Sequence, residues 1–342
     1  MDILPATRVP DQSPRRRITG RLAPSPTGGL HLGHARTFLV AWLASRASAG
    51  GGRVVLRLED IDASRVRPEA LASIVRDLEW LGLDWDEGPI RQSNRVPLYA
   101  DALERLKRAE AVYPCLCTRA DIQRAASAPH EPIRLDAEGR SLTWEVGPAY
   151  PGTCAGRSVA EAAELARAGR AFAWRFRVAD PNQTIVWEDE FLGPIALTPR
   201  QVGGDFVVGR SSGEPSYQLA AALDDALMGV DLVVRGDDLI PSTPRQILIQ
   251  RALGHVSPRF FHLPLALAPD GQRLAKRDAA LKLETLRERG VAPEAIIGEA
   301  ARSCGWLDPN RPAPLVRPRD LIPLYDPRRI PRVPWVVPAT WM

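Results

Sequence analysis

Lysine is scarce in this sequence. Only Lys107, Lys276 and Lys282 occur among 45 lysine and arginine residues in a chain of 342. A lysine ammonium is a compact point charge, whereas an arginine guanidinium is a planar fork. A lysine retained in so arginine-rich a chain therefore indicates a position at which arginine would not serve. Lys276, in a basic loop after a predicted strand, is such a position.

The sequence also has few cysteines and no long apolar run. It contains four cysteines, no secretory signal at its start and no stretch of about 18 apolar residues. These absences exclude a membrane span and lead us to expect a cytoplasmic, reducing location. Cysteines there bind metal or stay free more often than they form disulfides. The net charge of +4 is compatible with an RNA partner but does not require one.

The order of predicted elements indicates an α/β fold. A strand at 18–23, a helix at 33–47, a strand at 53–59 and a helix from Pro68 follow one another. Alternating strands and helices are typical of a parallel nucleotide-binding sheet. The pattern loosens between 115 and 200, which predicts an insertion, and α/β alternation returns at Asp205.

We expect five segments along the chain. They are a flexible leader at 1–17, the nucleotide-binding half of a catalytic domain at 18–112, an inserted subdomain at 113–200, the second half with a lysine loop at 201–280, and a short helical segment with a tail at 281–342. The tail is rich in proline and is expected to wrap the surface without forming long helices.

Two separated stretches predict a site for ATP. His31, Gly33 and His34 follow a turn containing Gly28 and Gly29 and precede a helix, whose positive end favours phosphate. More than two hundred residues later, Arg273 and Lys276 supply cations in a loop. Lys276 is predicted to stabilise the transition state as pyrophosphate leaves. The alternatives are a chance histidine pair, half of a metal site, and a solvated basic loop.

Longer motifs resemble a known family. They are Arg21-Leu-Ala-Pro-Ser-Pro-Thr-Gly, Leu56-Arg-Leu-Glu-Asp, Leu81-Gly-Leu-Asp-Trp-Asp-Glu-Gly-Pro, Arg235-Gly-Asp-Asp and Ser242-Thr-Pro-Arg-Gln. They resemble class I glutamyl-tRNA synthetases and extend over roughly residues 18–280. The resemblance implies a Rossmann-like class I aminoacyl-tRNA synthetase catalytic domain that activates glutamate with ATP and Mg²⁺.

The resemblance also implies a glutamate pocket formed by Arg21, Ser25, Glu59, Tyr217 and Arg235. The charges agree with this assignment, because two arginines can bind carboxylates bidentately and Glu59 can pair with the ammonium. Arg235 is flanked by apolar residues in a predicted strand, and a buried arginine without a partner is costly, which favours a ligand role. The alternatives are that Arg21 and Tyr217 only pack and that Glu59 only pairs with Arg57 or Arg65.

The acceptor is predicted from the length of chain beyond the lysine loop. The segment after Arg277 is too short for the helical anticodon-binding domain of full glutamyl-tRNA synthetases. Shorter members of that family resemble the catalytic body alone and attach glutamate to queuosine at the wobble position of tRNA(Asp). The stretch starting Tyr217-Gln-Leu-Ala resembles them. We expect this activity, in a monomer that does not bind membranes. A compact enzyme charging the 3′ end of tRNA(Glu) and a non-catalytic RNA-binding paralogue are the alternatives.

The cysteines match the zinc pattern of the family. Cys115, Cys117, Tyr150 and Cys154 correspond to three cysteines and a tyrosine, which implies a structural zinc site in an acceptor-binding-like insertion. The gap before Tyr150 is longer than the family pattern, and His130 lies in it as a competing fourth ligand. Three free thiols are the alternative. Cys304 is expected to be a core residue.

Overall fold

The computed structural model describes residues 17–125, 133–135, 142–144, 148–274 and 279–341, the two short ranges by their backbone only. Its strands are β1 (Thr19–Leu22), β2 (Arg53–Leu58), β3 (Glu87–Arg91), β4 (Val112–Cys115), β5 (Ile133–Leu135), β6 (Leu142–Trp144), β7 (Ala173–Phe176), β8 (Ile185–Asp189), β9 (Gly193–Leu197), β10 (Phe206–Arg210), β11 (Leu232–Gly236), β12 (Arg259–Leu263), β13 (Ala266–Leu267) and β14 (Trp335–Val336).

The helices alternate with these strands in the parts that build the cleft. They are α1 (Leu32–Arg46), α2 (Pro68–Trp80), α3 (Val96–Arg108), α4 (Arg119–Ala125), α5 (Glu161–Arg167), α6 (Tyr217–Leu227), α7 (Thr243–Ala252), α8 (Leu283–Glu288) and α9 (Pro293–Ser303). None of the helices in the described residues is long and apolar enough to cross a bilayer.

The predicted alternation of strands and helices in the first half is confirmed. β1 pairs in parallel with β2, and β2 pairs in parallel with β3. α1 connects β1 to β2 and is buried on most of its surface, because it packs between the strands, α9 and the tail. At the β1–β2 crossover a Cβ on Gly52 would lie 2.2 Å from the Ile18 carbonyl oxygen, so only glycine fits.

A second group of parallel strands lies beside the β1–β2–β3 sheet. β11 pairs in parallel with β12, which pairs in parallel with β8, and β9 is antiparallel to β8. The Asp231 backbone N–H donates to the Thr19 carbonyl over 2.8 Å, and the Thr19 N–H donates to Asp231 Oδ2 over 3.0 Å. β1 and β11 therefore lie side by side, and residues at their carboxyl ends line a crevice, as in doubly wound sheets.

The stretch predicted as an insertion contributes to three different sheets, one of which is the two-stranded β5–β6 sheet. β4, β7 and β10 form an antiparallel sheet of their own, in the order β10-β7-β4. β8 and β9 lie in the same predicted stretch, 113–200, but join the β11–β12 sheet instead. The reason is packing: Ile185, Trp187 and Ile195 contribute to a buried cluster with Val233 and Phe260.

The C-terminal segment is partly buried in the core, whereas its proline content predicts that it wraps the surface. Beyond α9, the described residues up to 341 contain only short 3₁₀ helices and β14, which pairs in parallel with β13. Leu321, Ile330 and Val337 are buried in the main apolar cluster, together with α1 and α9. Cys304 is fully buried in that cluster, so its prediction as a core residue is confirmed.

Candidate active site

A deep cleft lies at the carboxyl ends of β1, β2 and β11, above the start of α1. Its volume is about 1430 Å³. Nine of the residues predicted from the sequence line it, which are Arg21, Ser25, His31, Gly33, His34, Glu59, Tyr217, Arg235 and Arg273. Lys276 lies outside the described residues, although Leu274, two positions before it, lines the cleft. The structure thus brings together residues that are up to 250 positions apart in sequence.

The two histidines stack at the start of α1. Their ring centroids are 3.7 Å apart, and the His31 backbone N–H donates to His34 Nδ1 over 3.2 Å. Burial, and then the neighbouring His31, hold the pKa of His34 well below its usual value. His34 is therefore neutral at pH 7, and because its Nδ1 accepts a hydrogen bond, its proton is on Nε2. A neutral N–H donor at a helix N-terminus suits an anionic oxygen.

Gly33 is required by the close approach of its neighbours. A Cβ at this position would lie 3.0 Å from Ala266 Cβ and 3.1 Å from the His31 ring. A side chain here would require Ala266 or the His31 ring to shift by a few tenths of an ångström. The glycine therefore leaves room for the His31–His34 pair beside the helix end.

Lys282 is a cleft residue that sequence reasoning missed. Its backbone forms an antiparallel bridge with His31, and the Leu283 N–H donates to the Leu30 carbonyl over 2.9 Å. The side chain of Lys282 lines the cleft. The scarcity of lysine that singled out Lys276 applies to Lys282 as well, and that signal could have found it. Lys107, by contrast, pairs with Glu104 away from the cleft.

A network of buried charges forms the floor of the cleft. Arg57 Nη1 lies 2.7 Å from Asp225 Oδ1, and its Nη2 lies 3.1 Å from Glu59 Oε1. Burial alone would lower the pKa of Arg57, but Asp225 and Glu59 raise it above the usual value. Arg21 lies 3.5 Å from Asp225 and donates to the Val234 carbonyl over 2.8 Å. Glu59 therefore pairs with Arg57, one of the two alternatives considered, and still lines the cleft, where Ser25 donates to it over 3.3 Å.

Arg235 is held by neutral groups. Its Nε donates to His262 Nε2 over 3.1 Å, its Nη1 to Gln246 Oε1 over 2.8 Å and its Nη2 to Thr243 Oγ1 over 2.8 Å. The interpretation of Arg235 as a buried arginine without a protein partner was therefore wrong. Within the part of the chain that the structure describes, however, no carboxylate forms an ion pair with it. Its hydrogen bonds are satisfied, but its charge is not neutralised.

The charges of the floor do not cancel. Asp225 pairs with Arg57 and Arg21, and Glu59 pairs with Arg57, so these two arginines face two carboxylates and Arg235 has none. One positive charge remains without a carboxylate in direct contact, because Asp189 reaches Arg235 only through His262. A buried surplus cation is costly without an anionic ligand, so the floor favours a ligand with one net negative charge.

Three cysteines meet at a second place, next to the β4–β7–β10 sheet. The Sγ atoms of Cys115, Cys117 and Cys154 all lie within 4.8 Å of one another, with 3.8 Å between those of Cys117 and Cys154. The Tyr150 hydroxyl is 3.4 Å from Cys115 Sγ and accepts the Cys154 N–H over 2.8 Å. A tetrahedral Zn²⁺ with Zn–S bonds of about 2.3 Å separates its sulfurs by about 3.8 Å, so the donor set fits this ion. His130 lies outside the described residues.

Two of the thiols differ in acidity. Burial raises the pKa of Cys117 to about 11, with Cys115 and Cys154 adding to the effect. Burial acts in the same direction on Cys154, but hydrogen bonds from the Leu116 backbone and from Tyr150 outweigh it and lower its pKa to about 7. Cys154 is therefore more easily deprotonated to a thiolate than Cys117.

Fold and cleft together define an enzyme that activates an amino acid with ATP, and comparison with known proteins gives its family. The chain belongs to the class I tRNA synthetases for glutamate and glutamine, because the family model described as "tRNA synthetases class I (E and Q), catalytic domain" matches residues 17–313.

Individual relatives show which members of this family match the chain over nearly their whole length. A glutamyl-Q tRNA(Asp) synthetase of Symbiobacterium thermophilum is 48% identical over 330 residues, which cover 94% of this chain and 96% of that protein. A glutamate–tRNA ligase of Aquifex aeolicus is 38% identical, but the match covers only 62% of its length. A crystal structure of a glutamate tRNA ligase from Elizabethkingia meningosepticum in complex with its amino acid superimposes with a TM-score of 0.76 at 25% identity, covering 95% of this chain and 68% of the other.

Proposed function

We propose that this protein activates L-glutamate with ATP to glutamyl-adenylate and transfers the glutamyl group to queuosine at the wobble position of tRNA(Asp). The observation that carries the first step is the surplus positive charge on the cleft floor. Glutamate has two carboxylates and one ammonium, so its net charge of −1 matches that surplus. The second step is supported by relatives named glutamyl-Q tRNA(Asp) synthetase, which are 42–48% identical over nearly the whole chain.

The resemblance to the family and the shared cleft support the following roles. Arg21 and Arg235 bind the carboxylates of glutamate, Glu59 pairs with its ammonium, and Ser25 and Tyr217 donate hydroxyl hydrogen bonds. His31 and His34 contact the phosphates at the α1 N-terminus, where Gly33 lets ATP approach the backbone. Arg273 and Lys282 line the cleft and supply cations, and Lys276, outside the described residues, supplies a third.

Activation is a displacement at the α-phosphorus. An α-carboxylate oxygen of glutamate forms a bond to that phosphorus, and the bond to the bridging oxygen of pyrophosphate breaks. Negative charge accumulates on the departing pyrophosphate, and Lys276 and the α1 N-terminus stabilise it. Mg²⁺ bound with ATP supplies further neutralisation of the phosphates; carboxylates such as Asp238 and Glu284 line the cleft and suit its preference for oxygen ligands.

Transfer requires placement rather than a new catalytic group. The adenylate is a mixed anhydride, and a hydroxyl of the queuosine cyclopentene diol attacks its carbonyl carbon while AMP leaves with the bonding electrons. Orientation of the diol supplies much of the rate. Arg67, Arg76 and Arg119 are exposed at the mouth of the cleft and form no ion pair with a described carboxylate. They suit the phosphates of a single-stranded anticodon loop.

The cysteine cluster is proposed as a structural zinc site. Cys115, Cys117, Cys154 and Tyr150 would hold the ion, which would fix β4 to the loop containing Tyr150. Such sites contribute directly to folding.

Labelled glutamate distinguishes the candidate acceptors. The protein is incubated with radiolabelled glutamate and ATP, together with tRNA(Asp) carrying queuosine, tRNA(Asp) lacking it, or tRNA(Glu), and the labelled fragment is mapped with nucleases. We expect label only on the anticodon loop of queuosine-containing tRNA(Asp). Label at the 3′ end of tRNA(Glu) would instead identify a compact glutamyl-tRNA synthetase. Absence of both labelling and ATP–pyrophosphate exchange would identify a non-catalytic paralogue.

A further inference from the structure

A buried chain of hydrogen bonds lies behind Arg235. His262 on β12 is in register with Arg235 on β11, and Asp189 ends β8, the next strand of the same sheet. Asp189 Oδ2 is 2.6 Å from His262 Nδ1, and Arg235 Nε is 3.1 Å from His262 Nε2. The three side chains are 1%, 0% and 4% exposed in the order Asp189, His262, Arg235.

The protonation states in this chain follow from the contacts. Burial is the largest effect on His262 and lowers its pKa to about 4, although Asp189 opposes the shift. His262 is therefore neutral at pH 7, with its proton on Nδ1 facing Asp189 and a lone pair on Nε2 facing Arg235. Asp189 Oδ1 also accepts the backbone N–H groups of Phe191, Leu192 and His262, at 3.1, 3.0 and 3.3 Å. Its negative charge is thus held by local donors.

We infer that Asp189 and His262 are positioning residues that fix the guanidinium of Arg235 towards the cleft through a neutral acceptor, and that this neutrality makes the cleft select glutamate over uncharged glutamine. A carboxylate in the place of His262 would hold Arg235 equally well but would cancel its charge. The inference deepens the proposed function, since it assumes that Arg235 receives the side-chain carboxylate of glutamate, the group that glutamine lacks.

Gln246 allows the charge to be cancelled with little change of shape. Its Oε1 already accepts from Arg235 Nη1 over 2.8 Å, so Gln246→Glu places a carboxylate oxygen at that contact. Gln250 lies one turn later on α7, is equally buried and bonds to the Ala222 carbonyl instead. Gln250→Glu therefore buries the same new charge without touching Arg235, and it is the matched control.

The experiment measures ATP–pyrophosphate exchange of the full chain with glutamate or glutamine, glutamate binding by calorimetry, and the melting temperature. For Gln246→Glu we expect the KM and Kd for glutamate to rise at least about tenfold, because one charge-assisted interaction with the substrate is lost. The KM for ATP and the rate of exchange with glutamine should stay within about twofold of wild type. Gln250→Glu should lower the melting temperature but leave the KM for glutamate unchanged.

Substitutions of His262 test the positioning role. His262→Leu removes the acceptor and should raise the KM for glutamate, whereas His262→Gln retains an oxygen acceptor and should recover most of the affinity. Equal increases in the KM values for glutamate and ATP, or no difference between the Leu and Gln variants, would overturn the inference. If Gln246→Glu leaves glutamate binding unchanged while wild type is active, the inference fails and the proposed function stands. If wild type shows no exchange with any amino acid, the proposed function fails first.

Discussion

Replacement of Arg235 by glutamine removes the surplus charge of the cleft floor. In Arg235→Gln the two remaining arginines of the floor, Arg21 and Arg57, are balanced by the carboxylates Asp225 and Glu59. One substrate carboxylate is then buried without a cation. Breaking a buried pair by removing one partner costs about 3–5 kcal/mol. That cost corresponds to a loss of about a hundredfold to several thousandfold in kcat/KM for glutamate.

The assay is glutamate-dependent ATP–pyrophosphate exchange, with the melting temperature recorded in parallel. The KM for ATP should change little, because the stacked histidines lie at the other end of the cleft. Arg259→Gln is the control, since Arg259 begins the adjacent strand and forms only an exposed pair with Glu190. A kcat/KM for glutamate within about threefold of wild type in Arg235→Gln would refute the charge-matching account.

Three further outcomes are expected. Lys282→Ala should raise the KM for ATP about tenfold through loss of a charge-assisted contact, whereas Lys107→Ala should leave it unchanged; equal effects would remove Lys282 from the ATP site. Cys117→Ser should abolish zinc binding and lower the melting temperature, and metal analysis that finds no zinc in wild type would contradict this. Because burial lowers the pKa of His262 from 6.5 to about 4, the unfolded chain binds a proton in this window that the folded chain does not. The free energy of unfolding should therefore fall by about 3 kcal/mol from this group as pH drops from 6.5 to 4. Denaturant titrations across this pH range give the free energy of unfolding of wild type and His262→Gln. The decrease should appear only in wild type, and an equal decrease in both proteins would contradict the assignment.

Local sequence signals predicted the nucleotide-binding half well. The apolar stretch 53–58 and the turn before His31 specify β2 and the start of α1 through neighbours in sequence. Resemblance to the family then placed Arg21, Glu59 and Arg235 in one pocket, and the structure places them in one cleft. Their individual roles remain predictions until a ligand is observed.

Long-range partners could not be predicted in this way. Asp189 and His262 are 73 residues apart, and nothing in either segment identifies the other as its hydrogen-bond partner. β8 and β9 have the short, irregular spacing typical of an insertion, yet their inward-facing side chains pack on β12. The choice between two sheets depends on packing across the whole chain, which a local pattern does not contain.

The central claim is that the cleft floor matches the charge of glutamate beside a phosphate site at the start of α1. A crystal structure with glutamate and a non-hydrolysable ATP analogue tests it most directly. We predict the carboxylates of glutamate on Arg21 and Arg235, its ammonium on Glu59, and the phosphates at His31 and His34. An amino acid bound away from these arginines, or a nucleotide bound away from the histidines, would contradict the account.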